Sequence, residues 1–267
     1  MIIQKSMNRK TALITGASGK IGFAIARNIA KLSGFRVILV GRDEAGLEDA
    51  CQRINNDTGN ADADYMLADL SLRDDIRALA RTWDGPLHIL INNAAACPQS
   101  KTLNREGLEM QFATNILGYY RMIKAFEPIL TTSAPARIVN VASYWAGDLD
   151  MDDLEFRRRY YNNNTAYRQS KQADRMLSAA FAKKFIDQGI TVNACHPGDV
   201  NSKLSNSLGF GGHESPDQGA ATPVWLATAE EVEAVSGKYF ENKSVQACRF
   251  SADIKACMKL ADICSRY

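Results

Sequence analysis

The sequence lacks long apolar runs, paired cysteines and a localised excess of charge. No apolar stretch approaches the about 18–20 residues that a membrane-spanning helix requires. The opening MIIQKSMNRK has neither the apolar core nor the cleavage site of a signal peptide. The six cysteines are scattered without a C-x-x-C pair, and only three histidines accompany them. We therefore expect a cytoplasmic protein with reduced thiols and with neither a disulfide framework nor a metal site.

Positive and negative charges nearly balance along the chain. Lys and Arg number 32 against 30 Asp and Glu, which gives a net charge of +2. The small basic cluster RRR at 157–159 is interpreted as the charged face of a helix. Because no basic patch is present, nucleic acid is not expected as a partner. The 267 residues contain no repeat and no linker rich in proline or glycine, so we predict a single domain over 1–267.

Short apolar runs alternate with longer segments of helical periodicity. Each run is apolar on both faces, which is typical of parallel strands covered by helices. Repeated alternation of this kind predicts an α/β doubly wound (Rossmann) sheet of about seven parallel strands with helices on both faces. The strands are predicted at 11–15, 37–40, 64–68, 88–92, 137–143, 190–195 and 238–240.

The loop TGASGKIG at 15–22 follows the first predicted strand and precedes a helix. Gly16, Gly19 and Gly22 would let the backbone approach a pyrophosphate closely, and the first-turn amides of the helix would face the anion. Lys20 adds a positive charge nearby. A glycine triplet is also compatible with an ordinary tight turn, but its position after the first strand favours a dinucleotide cradle.

The end of the second predicted strand indicates which dinucleotide is bound. No carboxylate stands directly at that end, where one would bind the ribose 2′-hydroxyl of NAD(H). Arg42 stands beside it and can pair with a 2′-phosphate, so we predict NADP(H) over NAD(H). Asp43 leaves NAD(H) use open, unless its carboxylate caps the helix that follows.

Four polar residues have positions that suit proton transfer. Tyr167 and Lys171 are four apart on one predicted helix face, where an ammonium would favour the phenolate. Alone, such a pair is usually a solvated surface pair. Ser143, however, ends a strand at the ligand-binding edge of the sheet and could bind a carbonyl oxygen. Asn115, in a long helix, could hold a water or kink the helix, and is equally compatible with a self-satisfied core asparagine.

In their order along the chain, these motifs resemble the short-chain dehydrogenase/reductase family. The resemblance covers essentially the whole chain and includes the glycine loop, ADL at 68–70, NNAA at 92–95 and HPGDV at 196–200. It is nearest the retinol dehydrogenase-like and protochlorophyllide reductase-like group, which has a similarly long insert between the serine and the tyrosine. Here 24 positions separate Ser143 from Tyr167.

The resemblance implies specific roles for individual residues. Ser143, Tyr167 and Lys171 match the catalytic residues of the family, and Asn115 matches the asparagine that supports a proton relay. Asp69 matches an adenine contact, and the surroundings of Asn92 would line the ribose. The implied cofactor-binding residues are Gly16, Ser18, Gly19, Lys20, Ile21, Gly22, Arg42, Asp69, Leu70, Asn93, Ala94, Ala95, Tyr167, Lys171, Pro197, Gly198, Val200 and Ser202.

Besides the long insert, the glycine loop departs from the pattern of the compact branch of the family, because its spacing is that of the longer, epimerase-like branch. NNAA replaces the usual NNAG, a small change that puts little in doubt. The insert at 146–164 and a polar flap at 201–222 are expected to form the substrate pocket. Apolar side chains there suggest an apolar substrate, although they could simply pack the insert onto the domain; they are Tyr144, Trp145, Leu204, Leu208 and Phe210.

We therefore predict an NADP(H)-dependent oxidoreductase that interconverts a carbonyl and an alcohol on a small molecule. Two other reactions with the same cofactor stay open, namely reduction of a C=C bond and epimerisation. A non-catalytic dinucleotide sensor is the alternative from another class, and retention of the serine, tyrosine and lysine argues against it. The resemblance leaves a homodimer or homotetramer open, and a long insert could instead keep the chain monomeric.

Overall fold

A computed structural model describes residues 9–60 and 62–267 and shows one eight-stranded sheet. The strand order is β3-β2-β1-β4-β5-β6-β7-β8, and all neighbours are parallel except β7 and β8. The predicted doubly wound sheet of parallel strands is confirmed. The strands are β1 Lys10–Thr15, β2 Phe35–Gly41, β3 Ala63–Leu67, β4 Ile89–Asn92, β5 Ala136–Val141, β6 Ile190–Cys195, β7 Tyr239–Glu241 and β8 Ser244–Gln246.

The antiparallel β8 was not predicted from the sequence. Its three residues are exposed, so it has no apolar pattern by which a strand is recognised. It follows β7 through a tight turn in which Asn242 and Lys243 both have positive φ, at 48° and 60°. Both features place β8 outside the parallel core, as a short hairpin partner at one edge of the sheet.

Helices cover both faces of the sheet. In β1, Leu13 packs into the apolar cluster beneath one helical layer, and Ile14 packs into the cluster beneath the other. A π-helical segment, Phe112–Leu117, leads directly into α4. The α-helices are α1 Lys20–Ala30, α2 Glu44–Thr58, α3 Arg73–Thr82, α4 Gly118–Thr132, α5 Asn163–Lys184, α6 Lys203–Ser207, α7 Pro216–Thr228, α8 Arg249–Ala252 and α9 Ile254–Ser265.

The strand order changes direction between β1 and β4, so the loops after these two strands lie side by side. The buried Thr15, the last residue of β1, fastens them together. Its Oγ1 accepts hydrogen bonds from the backbone N–H groups of Asn93 (2.8 Å) and Ala94 (3.1 Å). It donates to the Ile91 carbonyl at 3.3 Å. The glycine loop is therefore held against the NNAA segment at the carboxyl edge of the sheet.

The basic cluster at 157–159 does not lie on a helix, so that interpretation is wrong. These residues bend around the buried carboxylate of Asp153. Asp153 accepts hydrogen bonds from the backbone N–H groups of Arg157, Arg158 and Arg159. A carboxylate that binds consecutive amides fixes a turn, and a helix would have satisfied those amides internally.

Among the described residues, no helix combines the length and the apolar character needed to cross a bilayer. The expected lack of a signal peptide concerns the first ten residues, and residues 1–8 of these lie outside the described part of the chain.

Candidate active site

The glycine loop has a backbone that only glycine fits at two positions. Gly16 has φ of +65°, and a Cβ there would lie 2.8 Å from Ala94 Cα. A Cβ on Gly22 would lie 2.4 Å from the Gly16 carbonyl oxygen. Gly19 occupies the N-cap of α1, whose first turn carries no acidic residue. The loop and the helix N-terminus thus form a cradle that fits a pyrophosphate.

Lys20 joins this loop to the segment predicted as the flap. Its Nζ donates to the Asn201 carbonyl at 2.8 Å. Ile21, one residue further on, lies near Gly219, which is in α7 and also contacts Val200. The predicted cofactor-binding residues of the glycine loop therefore meet those of the 197–202 segment.

Arg42 and Asp43, which follow the end of β2, make different contacts. Asp43 is the N-cap of α2 and accepts from the backbone N–H of Gly46 at 3.2 Å. Arg42 is exposed, and its Nη1 lies 3.8 Å from Asp69 Oδ2 across the edge of the sheet. The Asp43 carboxylate is therefore used as a helix cap, and Arg42 and Asp69 are the charged side chains that face each other across this edge.

Ser143, Tyr167 and Lys171 lie together at the carboxyl edge of the sheet. Ser143 follows the end of β5 by two residues, and the other two project from α5, which begins at an Asn162 cap. All three side chains are buried. The Ser143 hydroxyl lies close enough to the Tyr167 phenol to lower its pKa, and the Lys171 Nζ lies 5.8 Å from the centre of the Tyr167 ring.

The environment of Tyr167 opposes its ionisation. Burial raises the pKa of Tyr167, the nearby Ser143 hydroxyl lowers it, and the negative charge of Asp174 raises it. The ammonium of Lys171 is shared with other groups, because its Nζ donates to the Val141 carbonyl and to Asp174 Oδ2, both at 2.9 Å. The expected effect of lysine on the phenol is therefore offset by a carboxylate that the sequence analysis did not consider.

Asn115 lies in the π-helical segment and links two parts of the site. Its Oδ1 accepts from the backbone N–H of Ala96 at 2.8 Å. Its Nδ2 donates to the Ala96 carbonyl at 3.0 Å and to Ser170 Oγ at 3.1 Å. The sequence left open whether Asn115 kinks the helix or is a hydrogen-bonded core asparagine. Both hold, because its amide oxygen and nitrogen are hydrogen-bonded and the helix around it is irregular.

The predicted residues after β4 differ in where their side chains lie. Asn92 is buried in the core and donates to Asn140 Oδ1 at 2.9 Å. Asn93 donates through Nδ2 to the Thr15 carbonyl at 2.9 Å, which supports the glycine loop. Leu70, after β3, is also buried in the apolar core. A ligand at this edge would therefore meet backbone atoms of these residues more readily than their side chains.

The segment after β6 is shaped by a partly buried contact with an acidic residue. Gly198 has φ of +104°, and the carboxylate of Glu214 packs against it and accepts from the backbone N–H of Asp199. Ser202 caps α6 by accepting from the backbone N–H of Ser205 at 3.1 Å. The predicted cofactor contacts Pro197, Gly198, Val200 and Ser202 thus lie along one loop at the carboxyl edge.

The segments predicted as insert and flap contact each other across this edge. The rings of Trp145 and Phe210 meet edge to face with centroids 5.2 Å apart. The Ser207 carbonyl accepts hydrogen bonds from Gln99 and, at 3.0 Å, from Asn163 Nδ2. These contacts hold the 201–210 stretch against the residues after β5 and the start of α5.

Sequence reasoning missed three residues that position the site. Arg175 donates to the Ser143 carbonyl and lies over the Tyr239 ring, 3.4 Å from its centre. The Tyr119 hydroxyl donates to the Val141 carbonyl at 3.2 Å, and Asp174 pairs with Lys171. The sequence held a signal for two of them, because Asp174 and Arg175 are three and four residues after Lys171 and so lie near its helix face.

The comparisons with known proteins agree with this geometry. The family model described as short chain dehydrogenase matches residues 10–209. Retinol dehydrogenase 13 of Homo sapiens is 35% identical over 260 residues, which cover 89% of this chain and 78% of that protein. An uncharacterized protein from Mycobacterium paratuberculosis shares the fold with a TM-score of 0.79 at 24% identity, covering 98% of this chain and 95% of that chain. The NADP complex of RhlG from Pseudomonas aeruginosa aligns with a TM-score of 0.69 at 26% identity, covering 90% and 97% of the respective chains.

The contacts of Asn115 predict a loss of stability when its side chain is made apolar. We expect Asn115→Leu to lower the free energy of unfolding by about 1–3 kcal/mol, because the Ala96 backbone groups and Ser170 lose their partner. Urea unfolding followed by circular dichroism measures this change. The matched control is the exposed Asn206→Leu, for which about 0.5 kcal/mol or less is expected. Equal losses in the two variants would contradict the assigned role of Asn115.

Proposed function

The chain belongs to the short-chain dehydrogenase family, and from this premise we propose that it is an NADP(H)-dependent oxidoreductase that interconverts a carbonyl and an alcohol. The observation that carries the proposal is the convergence of Ser143, Tyr167 and Lys171 beside the glycine cradle at the carboxyl edge of the sheet. Ligands bind at this edge, outside the switch between β1 and β4, in folds of this topology.

In the proposed reaction, Tyr167 exchanges the hydroxyl proton. During reduction its phenol donates a proton to the substrate oxygen, and during oxidation its phenolate removes that proton. The Ser143 hydroxyl lies beside the phenol, so a substrate oxygen that accepts from both hydroxyls would be oriented by them. NADP(H), when bound, supplies or accepts the hydride.

Lys171 stabilises the developing charge and holds the site together. Its ammonium has three N–H donors, of which two are used by Val141 and Asp174. The third is available to the ribose of the coenzyme or to the phenolate. Asn115 acts at a greater distance, because it fixes the loop after β4 against Ser170 on the same helix as the tyrosine.

The preference for NADP(H) is supported by the end of β2. Arg42 is exposed there, while Asp43 is engaged as a helix cap. The cradle itself would be formed by Gly16, Gly19 and Gly22, with the helix N-terminus behind it. RhlG, which aligns over most of the chain, was solved with NADP, and this adds support by analogy.

The substrate proposed is small and mainly apolar. Trp145 and Phe210 pair at the entrance, and Tyr144 beside Ser143 is half exposed. The segments at 146–164 and 201–222 would form the walls of this pocket within one domain. Retinol dehydrogenase 13 is named for an alcohol substrate of apolar character, which is consistent with this choice. The oligomeric state stays a prediction.

The direct test is turnover of a panel of aldehydes and ketones by the full chain with NADPH. Turnover is measured as the loss of NADPH absorbance. For any substrate found, Tyr167→Phe is expected to reduce kcat/KM by at least about 100-fold, because the proton donor is removed. Tyr120→Phe, at a tyrosine of α4 whose ring lies 5.5 Å from that of Phe181 and outside the proposed site, is the control and is expected to keep wild-type activity. Undiminished turnover by Tyr167→Phe would refute the proposed proton donor.

Coenzyme choice is tested at Arg42. We expect Arg42→Ala to raise the Kd for NADPH by about tenfold to hundredfold, the loss typical of a hydrogen bond to a charged group, and to leave the Kd for NADH nearly unchanged. Fluorescence titration with both coenzymes gives the ratio. Arg36→Ala, at another exposed arginine of β2, serves as the control. Equal weakening of both coenzymes by Arg42→Ala would show that Arg42 does not select the phosphate.

A further inference from the structure

A carboxylate lies inside the protein next to the proposed catalytic lysine. Asp174, on α5, has no exposed surface. Its Oδ2 accepts from Lys171 Nζ at 2.9 Å, and its Oδ1 has no hydrogen-bond partner among the described residues. Buried carboxylates are costly unless paired, so the contact with Lys171 must supply most of the compensation.

The ammonium of Lys171 is enclosed by few other groups. It lies 5.0 Å from the centre of the Tyr119 ring and 5.8 Å from that of Tyr167. Its second hydrogen-bond acceptor is the Val141 carbonyl, which is uncharged. Asp174 is thus the only carboxylate within ion-pair distance of Lys171 in the described part of the chain.

The charge of Asp174 acts against the effect that a lysine has on a neighbouring phenol. An isolated ammonium stabilises a phenolate, and a carboxylate in contact with the ammonium cancels much of that field. Because little water screens the charges in a buried site, both the attraction of the ammonium for a phenolate and the opposing repulsion by the carboxylate are large. Asp174 itself repels the phenolate of Tyr167 and so raises the pKa of that residue.

We infer that Asp174 is a positioning residue that neutralises the Lys171 ammonium beside Tyr167 and makes proton loss from Tyr167 harder than it would be beside an uncompensated lysine. This inference rests on the proposed role of Tyr167 as the proton donor. A phenol that keeps its proton suits the reductive direction, in which the tyrosine must be protonated when the carbonyl binds.

The pair also links the site to pH. Burial raises the pKa of Asp174 to about 7, and the pairing with Lys171 opposes that rise. Below this pH Asp174 is protonated and Lys171 is uncompensated, and above it the pair is neutral overall. Other titratable groups surround the pair from α4, α5, β6, α9 and the neighbouring loops; they are Tyr119, Tyr167, Cys195, Cys264, Cys97 and Asp199.

The test replaces the carboxylate with an amide of the same shape. In Asp174→Asn the first proton loss from the coupled Tyr167–Lys171 pair is expected to move to lower pH by about one unit or more. Tyrosine labelled with ¹³C at Cζ reports ionisation of Tyr167 by NMR in the full chain, with and without NADP⁺. The resonance is assigned by its loss in Tyr167→Phe. The pH dependence of kcat/KM should show the same shift.

Three variants complete the design. Asp174→Glu keeps the charge and should titrate like the wild type, and Asp174→Ser is a second neutral variant in case the amide does not fold. Glu127→Gln removes a carboxylate that pairs with Lys124 on α4 and with Lys184 at the end of α5. This control should leave the pH at which Tyr167 ionises unchanged. If the folded neutral variants ionise Tyr167 no earlier than the wild type, the inference is overturned.

Failure of this inference can be told apart from failure of the proposed function. A chain that reduces no carbonyl would end the proposed function, while the NMR shift would still report the influence of Asp174 on Tyr167. Turnover that depends on Tyr167, with a resonance that does not move in Asp174→Asn, would leave the function standing and refute the role of Asp174.

Discussion

The active site depends on keeping one lysine charged inside the protein. Lys171 is almost entirely buried, and its ammonium is satisfied by the Val141 carbonyl and the Asp174 carboxylate. Val141 is the last residue of β5, so this contact fixes α5 against the end of that strand. Ser143 follows Val141 by two residues and therefore lies near Tyr167, which projects from the same helix as Lys171. The buried Lys171, together with Arg175, which donates to the Ser143 carbonyl, thus holds α5 against the end of β5 and the residues after it.

A second constraint joins this site to the glycine cradle. Parallel strands end at the same edge, and the change of strand order between β1 and β4 leaves a crevice there. Thr15 closes the base of that crevice by accepting from the backbone of Asn93 and Ala94. Asn115 then ties the continuation of the same loop, at Ala96, to α5. The glycine loop and the helix that carries Tyr167 and Lys171, which we propose as the dinucleotide cradle and the proton-transfer site, are therefore joined by hydrogen bonds through the loop after β4.

The sequence predicted the parallel sheet because strands buried on both faces are continuously apolar, whereas the exposed β8 had no such pattern. It also placed Ser143 at a strand end and Tyr167 and Lys171 on one helix face, since both follow from local periodicity. It failed at 157–159, where the carboxylate of Asp153, four to six residues earlier, binds the backbone amides and a turn forms in place of a helix. The pairing of Lys171 with Asp174 was missed because a three-residue spacing does not reveal whether a helix face is buried.

A crystal structure of the chain with NADP⁺ bound would show whether these groups form one dehydrogenase site. We expect the nicotinamide beside Tyr167 and Ser143, the pyrophosphate on the loop from Gly16 to Gly22, and the 2′-phosphate at Arg42. We also expect Lys171 still to contact Asp174 in the complex. A coenzyme bound away from Tyr167, or a glycine loop that touches no phosphate, would show that these groups do not form one site.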